Sequence, residues 1–85
     1  MDVVKRDGSK ELFDAAKITR VVIAAGLDQS KASLLTEDVV NQLKNQPEVT
    51  SLQIRDLVST RLRAVDQYAA GLYDWYQKTK PDKVA

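Results

Sequence analysis

The sequence predicts a mainly α domain with a small β cap (α+β): an N-terminal β-hairpin, or a three-stranded sheet, covering a four-helix bundle. Three observations carry that expectation. Short apolar-containing runs flank Asp7-Gly8-Ser9, and Asp-Gly supplies the positive φ of a tight hairpin turn. From residue 15 onward, apolar residues recur at the three- and four-residue spacing of amphipathic helices. Residues that start and stop helices fall between four such runs.

Each element has its own justification. If Asp7-Gly8 forms a two-residue type I′ turn between residues 3–6 and 10–13, Arg6 faces Ser9 and Lys5 faces Lys10. Like charges directly opposite destabilise a hairpin, so either the lysines splay into water or an anion sits between them. Asp14 caps the first helix. Ile18, Val21, Val22 and Ala25 fall at i, i+3, i+4 and i+7, and Gly26 ends the run as a left-handed cap. A second helix starts near Ser30 or Ala32 and continues to about Asn45. Ala32, Leu35, Val39 and Leu43 form its inner side, with Thr36 and Val40 alongside, and Asn45-Gln46-Pro47 stops it. Glu48-Val49 is extended and able to add a third strand. Thr50 and Gln53 match a capping box, with Val49 and Ile54 placed as a hydrophobic staple. The third helix turns Ile54, Leu57, Val58, Leu62 and Val65 inward. A break at Asp66 starts the fourth, with Ala69, Leu72, Tyr73 and Tyr76 as its stripe and Trp75 at the edge. Lys78 and Lys80 occupy its last turn, where cations suit the helix dipole, and Pro81 ends it. Residues 1–85 read as one domain, with 81–85 a frayed tail.

Composition narrows the function. The chain has 85 residues, enough for one small core. Thirteen basic and twelve acidic residues give a net charge of +1, so nucleic acid is not expected as a partner; a protein built to coat a duplex needs a strong basic excess. There is no cysteine and no histidine, which excludes disulfides, Cys/His zinc sites and Cys- or His-based nucleophile pairs, and fits a cytoplasmic setting. No apolar run approaches ~18 residues, so no membrane span is expected, and the start is not a signal peptide. No catalytic set is visible, and an enzyme is not expected: the serines and threonines lack a histidine base, and Asp14 and Asp66 read as caps. Glu37-Asp38 reads as a solvated pair before it reads as a cation site. An anion site is better supported. Lys5, Arg6, Lys10 and Lys17 gather around the hairpin and the first helix N-terminus. Lys17 stands in the first turn, where the dipole disfavours a cation; a bound phosphate would offset that, although an exposed lysine there costs only about 0.3–1 kcal/mol. With three glycines, none of them suitably spaced, a Walker or Rossmann loop is absent.

The run Val3-Val4-Lys5-Arg6-Asp7-Gly8, followed by Glu11, Asp14 and Lys17-Ile18, resembles the opening of the ATP-cone domain. That domain is the allosteric nucleotide sensor of many ribonucleotide reductases and of the zinc-ribbon repressor of their genes. Residues 48–58 resemble its middle segment, and Ala70, Tyr73 and Tyr76-Gln77 resemble its closing helix, so the likeness covers about residues 2–80. The resemblance implies a four-helix bundle capped by a small sheet. It implies reversible binding of ATP or dATP beneath that sheet without turnover, with magnesium left open as the companion ion. It places Lys5, Arg6 and Lys80 at the phosphates, and Val3, Glu11, Asp14, Lys17 and Thr50 along the adenosine. The hairpin would then be a lid. Ile54 stands where some reductase cones carry a phosphate-binding histidine, and Gln77 where the closing helix often carries arginine. Without cysteines there is no zinc ribbon, so this chain alone is not expected to be the repressor. Two functional readings follow. One is an allosteric ATP/dATP-binding regulatory domain acting on a protein partner, either a ribonucleotide reductase subunit or a second copy of itself. The other is a protein-protein interaction module that keeps the fold and has lost the nucleotide.

Overall fold

Strand β1 (Asp2–Val4) pairs antiparallel with β2 (Lys10–Leu12) and parallel with β3 (Glu48–Thr50), giving the sheet order β2-β1-β3. The structure is a computed structural model and describes residues 1–79. The extended piece at 48–49 does form the third strand. The hairpin register, however, differs from the expected one by a residue. Val4 faces Lys10, and the loop is the three-residue Arg6-Asp7-Gly8: Lys5 N–H donates to the Ser9 carbonyl at 2.8 Å and Gly8 N–H to the Lys5 carbonyl at 2.9 Å. Asp7 explains the difference. Its carboxylate accepts from the Ser9 N–H at 2.9 Å and the Ser9 hydroxyl at 2.6 Å, bracketing the turn from its side chain. Only Gly8 takes a positive φ, +88°, whereas a type I′ turn would require one at Asp7 as well. Because alternate residues point to opposite faces of a strand, Lys5 and Lys10 do not meet. Lys10 pairs with Glu48 at 3.0 Å and Lys5 with Glu11 at 3.2 Å. Neither alternative offered for two facing lysines therefore applies, because each has its own carboxylate partner.

Side-chain caps set the helix boundaries. Asp14 accepts from the Ala16 N–H at 3.1 Å and starts α1 (Ala15–Ala24). At the other end, Leu27 N–H reaches the Val22 carbonyl and Gly26 N–H the Ile23 carbonyl, with Gly26 at φ +112°. This is the two-bond Schellman closure. Helix α2 (Gln29–Leu43) starts earlier than the apolar spacing indicated, because Asp28 caps it by accepting from the Lys31 N–H at 2.8 Å. Thr50 and Gln53 exchange both bonds of the capping box ahead of α3 (Ser51–Val65). Asp66 closes α3 by donating its N–H to the Leu62 carbonyl. Its carboxylate then accepts from the Tyr68 and Ala69 N–H groups and opens α4 (Gln67–Thr79).

The fold is mainly helical, four helices with a small three-stranded sheet. Helix α1 packs on α2, α3 on α4, and α2 on α3, with a lighter contact of α1 on α4. Val22, Ala32, Val39, Val58 and Leu62 fill the core, and Val3 and Val49 bring the inner face of the sheet onto it. Helix α4 buries half of the expected stripe, Ala69 and Tyr73, and turns its face towards Ala70 rather than towards Leu72 and Tyr76. It buries Ala69, Ala70 and Tyr73, while Leu72 and Tyr76 are exposed with Trp75. Two alanines allow close approach to the core. Asp74 fixes the rotation by accepting from the Ser59 hydroxyl and the Arg63 guanidinium of α3, both at 2.7 Å. Val65, at the end of α3, is likewise exposed. Lys80 and the 81–85 tail lie outside the described residues. Among the described residues, no helix is long and apolar enough to cross a membrane.

Candidate functional site

A cavity of about 150 Å³ opens between the inner face of the sheet and helices α1, α3 and α4. Its apolar walls include Val3, Phe13, Ile18, Ile54 and Val58. Glu11, Asp14, Lys17, Arg55, Tyr73 and Gln77 supply polar groups. The sheet aligns one part of it. Glu11 is the cross-strand partner of Val3, so both share the inner face with Lys5.

Glu11 is the electrostatic centre. Its carboxylate lies 3.2 Å from Lys5 Nζ and 3.7 Å from Lys17 Nζ. The hydrogen bond from Lys5, followed by the charge of Lys17, holds its carboxyl below the usual range. Lys17, placed against the helix dipole, thus has Glu11 as its counter-ion. Asp14 combines two tasks, capping α1 and lying 3.9 Å from Arg20, while also lining the cavity.

Of the residues expected at the site, Val3, Glu11, Asp14 and Lys17 line this cavity together. Lys5 joins them through Glu11. Arg6 lies in the exposed hairpin loop. Thr50 is not in the cavity wall; its hydroxyl and N–H are both engaged with Gln53, and its neighbour Ser51 lines the wall instead. The parallel pairing of Val4 with Thr50 sets the hairpin end of β1 beside the N-terminus of α3. Lys80 is outside the described residues.

Three further polar residues of the wall were not expected as site residues: Arg55, Tyr73 and Gln77. A signal for the first was present. Ser51, Ile54, Arg55 and Val58 stand at i, i+3, i+4 and i+7, so one face of α3 carries an arginine within an apolar stripe. Tyr73 is 6% exposed, and burial pushes its phenol up to about 12. Arg55 and Gln77 also line a second, polar cleft between α3 and α4, together with Ser59, Arg63, Asp74 and Lys78. No group of three or more acidic residues suited to a metal ion occurs among the described residues. Asp38, of the Glu37-Asp38 pair, lies 2.9 Å from Arg61 Nε. An apolar cavity rimmed by cations suits a flat apolar group with an anionic tail, held without covalent chemistry.

Comparison with known proteins agrees with this chemistry. The family model of the ATP cone domain matches residues 1–80. The chain is similar to the transcriptional repressor NrdR of Carboxydothermus hydrogenoformans, 41% identical over 73 residues that cover 79% of this chain and 47% of the relative. It is 37% identical to that of Synechococcus sp. (strain RCC307) over 73 residues, covering 79% and 45%. It is 35% identical to that of Rippkaea orientalis over 88 residues, covering 92% and 49%. The chain spans about half the length of the curated relatives it matches. These relatives correct the expectation that nucleic acid is not a partner, since a repressor of transcription has a nucleic-acid-directed function. The net charge of +1 misled because it sums over this chain alone. The chain spans about half of those relatives' length, so its net charge does not weigh the part of them it does not match.

Proposed function

The chain belongs to the ATP cone domain family, and from that premise we propose that it is a regulatory domain that senses adenine nucleotide, binding ATP or dATP without turning it over. The observation that carries this is Glu11 held between Lys5 and Lys17 at an apolar cavity. Two cations share one carboxylate, and the surplus positive charge suits a phosphate chain. A cavity of about 150 Å³ is small beside the roughly 300–1,000 Å³ of whole-ligand pockets, so it takes the base and leaves the phosphates outside. In this reading Val3, Glu11, Asp14 and Lys17 line the adenosine, and Lys5 and Arg6 meet the phosphates. The hairpin closes over the nucleotide as a lid. Thr50 contributes by fixing the start of α3. A magnesium ion accompanies the phosphates.

The domain signals by binding its nucleotide with different affinity in two conformations or assembly states. Its relatives are transcriptional repressors, so the output proposed here is control of transcription, with ribonucleotide reductase affected through its genes. Calorimetric titration tests the binding. Saturable uptake of ATP or dATP, abolished in Lys5→Ala and in Arg6→Ala, is expected; uptake undiminished in both variants contradicts the assignment.

A second reading is favoured by one observation. Leu72, Trp75 and Tyr76 are exposed beside Arg20 and Ala24 in a shallow groove between α1 and α4. Such a face fits a protein contact. Sedimentation of wild type and Trp75→Ser, with and without nucleotide, tests it: self-association that Trp75→Ser removes supports a contact face, and identical profiles remove it.

A further inference from the structure

We infer that Arg55 grips the polyphosphate of the bound nucleotide where the apolar cavity meets the polar cleft between α3 and α4; this rests on the nucleotide-binding reading above. Arg55 and Gln77 are the two residues shared by the cavity and the cleft, so a ligand with its base in the first and its phosphates outside must pass them. Arg55 is poorly satisfied by the protein. Its ion pair is with the adjacent Asp56, one Nη2 to one Oδ1 at 3.4 Å. A guanidinium has five donors in a planar fork, and one long contact leaves most of them uncommitted. The other acid of the cleft, Asp74, is occupied by Ser59 and Arg63.

Its surroundings point the same way. Tyr73, on the facing helix, is buried, and its hydroxyl has no hydrogen-bond partner among the described residues. The half-buried Gln77 amide also has none there. A phenol hydroxyl and an amide not engaged with the protein can donate to a ligand oxygen. Arg55, Tyr73 and Gln77 thus add three donors to the wall of a largely apolar cavity. The fold brings the hairpin cations to the same region, because β1 and β3 are parallel and the hairpin end of β1 overlies the start of α3. The positive end of that helix adds to the field. A phosphate there would be held between Lys5 and Arg6 on one side and the Arg55 fork on the other. A planar fork favours two oxygens of one phosphate, which a lysine ammonium cannot match.

The test is calorimetric titration of wild type, Arg55→Gln and Arg55→Lys with ATP, adenosine and inorganic tripolyphosphate, with thermal melts confirming that each variant folds. Arg55→Gln is expected to weaken ATP and tripolyphosphate by about tenfold or more and adenosine by less than about twofold. Arg55→Lys should fall between, and it carries the comparison if Arg55→Gln does not fold. Equal weakening of ATP and adenosine overturns the inference, as does ATP binding that is unchanged; the sensor reading then stands without Arg55. Tripolyphosphate binding that depends on Arg55, with no added affinity from the adenosine moiety, sinks the adenine-sensor reading and leaves an anion site. Absence of binding by all three ligands sinks both.

Discussion

Glu11 shows how much one side chain decides at this site. It neutralises two lysines, Lys5 just beyond β1 and Lys17 in α1, that the chain would otherwise leave without this counter-ion. Its carboxyl is held below the ordinary 4.5, so the linked stability is present above that value and is lost as pH falls through the lower, folded one. The group is partly exposed and screened by solvent, so the readout is the titration itself rather than stability. Carboxyl NMR should place the Glu11 midpoint below that of an ordinary glutamate. Lys5→Ala should raise it more than Lys17→Ala, and an ordinary midpoint in the wild type contradicts the geometry. Tyr73 gives the opposite sign. Its phenol ionises at about 12 in the fold against 10.0 free, so the folded state keeps a proton that the unfolded state loses. Stability should fall between pH 10 and 12, by about 2–3 kcal/mol, and Tyr73→Phe should remove that dependence. Absorbance at high pH that shows all three tyrosines ionising together near 10 would contradict it. Val3, Glu11, Asp14 and Lys17 were legible because they sit in one contiguous motif. Arg55, Tyr73 and Gln77 were less legible, because they come from two helices that only the topology brings together; Tyr73 reads as core, and Arg55 is marked only by its place beside Ser51, Ile54 and Val58 on one face of α3.

Helix boundaries were the most legible feature at the scale of the element, because a cap is a local bond. Asp66 serves two helices, closing α3 and starting α4. Asp66→Ala should therefore lower unfolding stability by about 1–2 kcal/mol and Asp66→Ser by much less, read from denaturant midpoints. Equal losses would place the effect outside capping. The hairpin turn was legible in position and wrong by one residue in register, since nothing in the dipeptide Asp-Gly reveals that Asp7 will bond Ser9 and lengthen the loop. Gly8, at φ +88° with nothing within 4 Å of an added Cβ, isolates the backbone cost. Gly8→Ala should cost about 1–2 kcal/mol and Gly8→Asn less, and a neutral Gly8→Ala would mean that the turn is not the one described. Helix α4 was harder still. Ala69 and Tyr73 were legible, but Ala70 competes with Leu72 and Tyr76 for the inner side, and the bonds from Ser59 and Arg63 to Asp74, between distant residues, favour Ala70.

For the whole molecule, the fold class was legible from periodicity and caps, while the site depended on topology that periodicity does not contain. The parallel pairing of β1 with β3 brings residues 2–4 beside residues 48–50, and so the hairpin beside the start of α3. The antiparallel return through β2 puts Glu11 over Lys17. The domain is therefore a convergence of three distant segments around one small cavity, and a ligand held there ties the hairpin to three helices. Such a ligand stabilises the fold as a unit. Thermal unfolding with ATP, dATP, ADP, GTP and no ligand, in magnesium, tests this most directly. At a free nucleotide concentration about 100 times its Kd, stabilisation is about 2.7 kcal/mol, a Tm rise on the order of 10 °C for a domain of this size. The account predicts that rise for ATP or dATP and a smaller one for GTP. An unchanged Tm with every nucleotide at about millimolar concentration would contradict it.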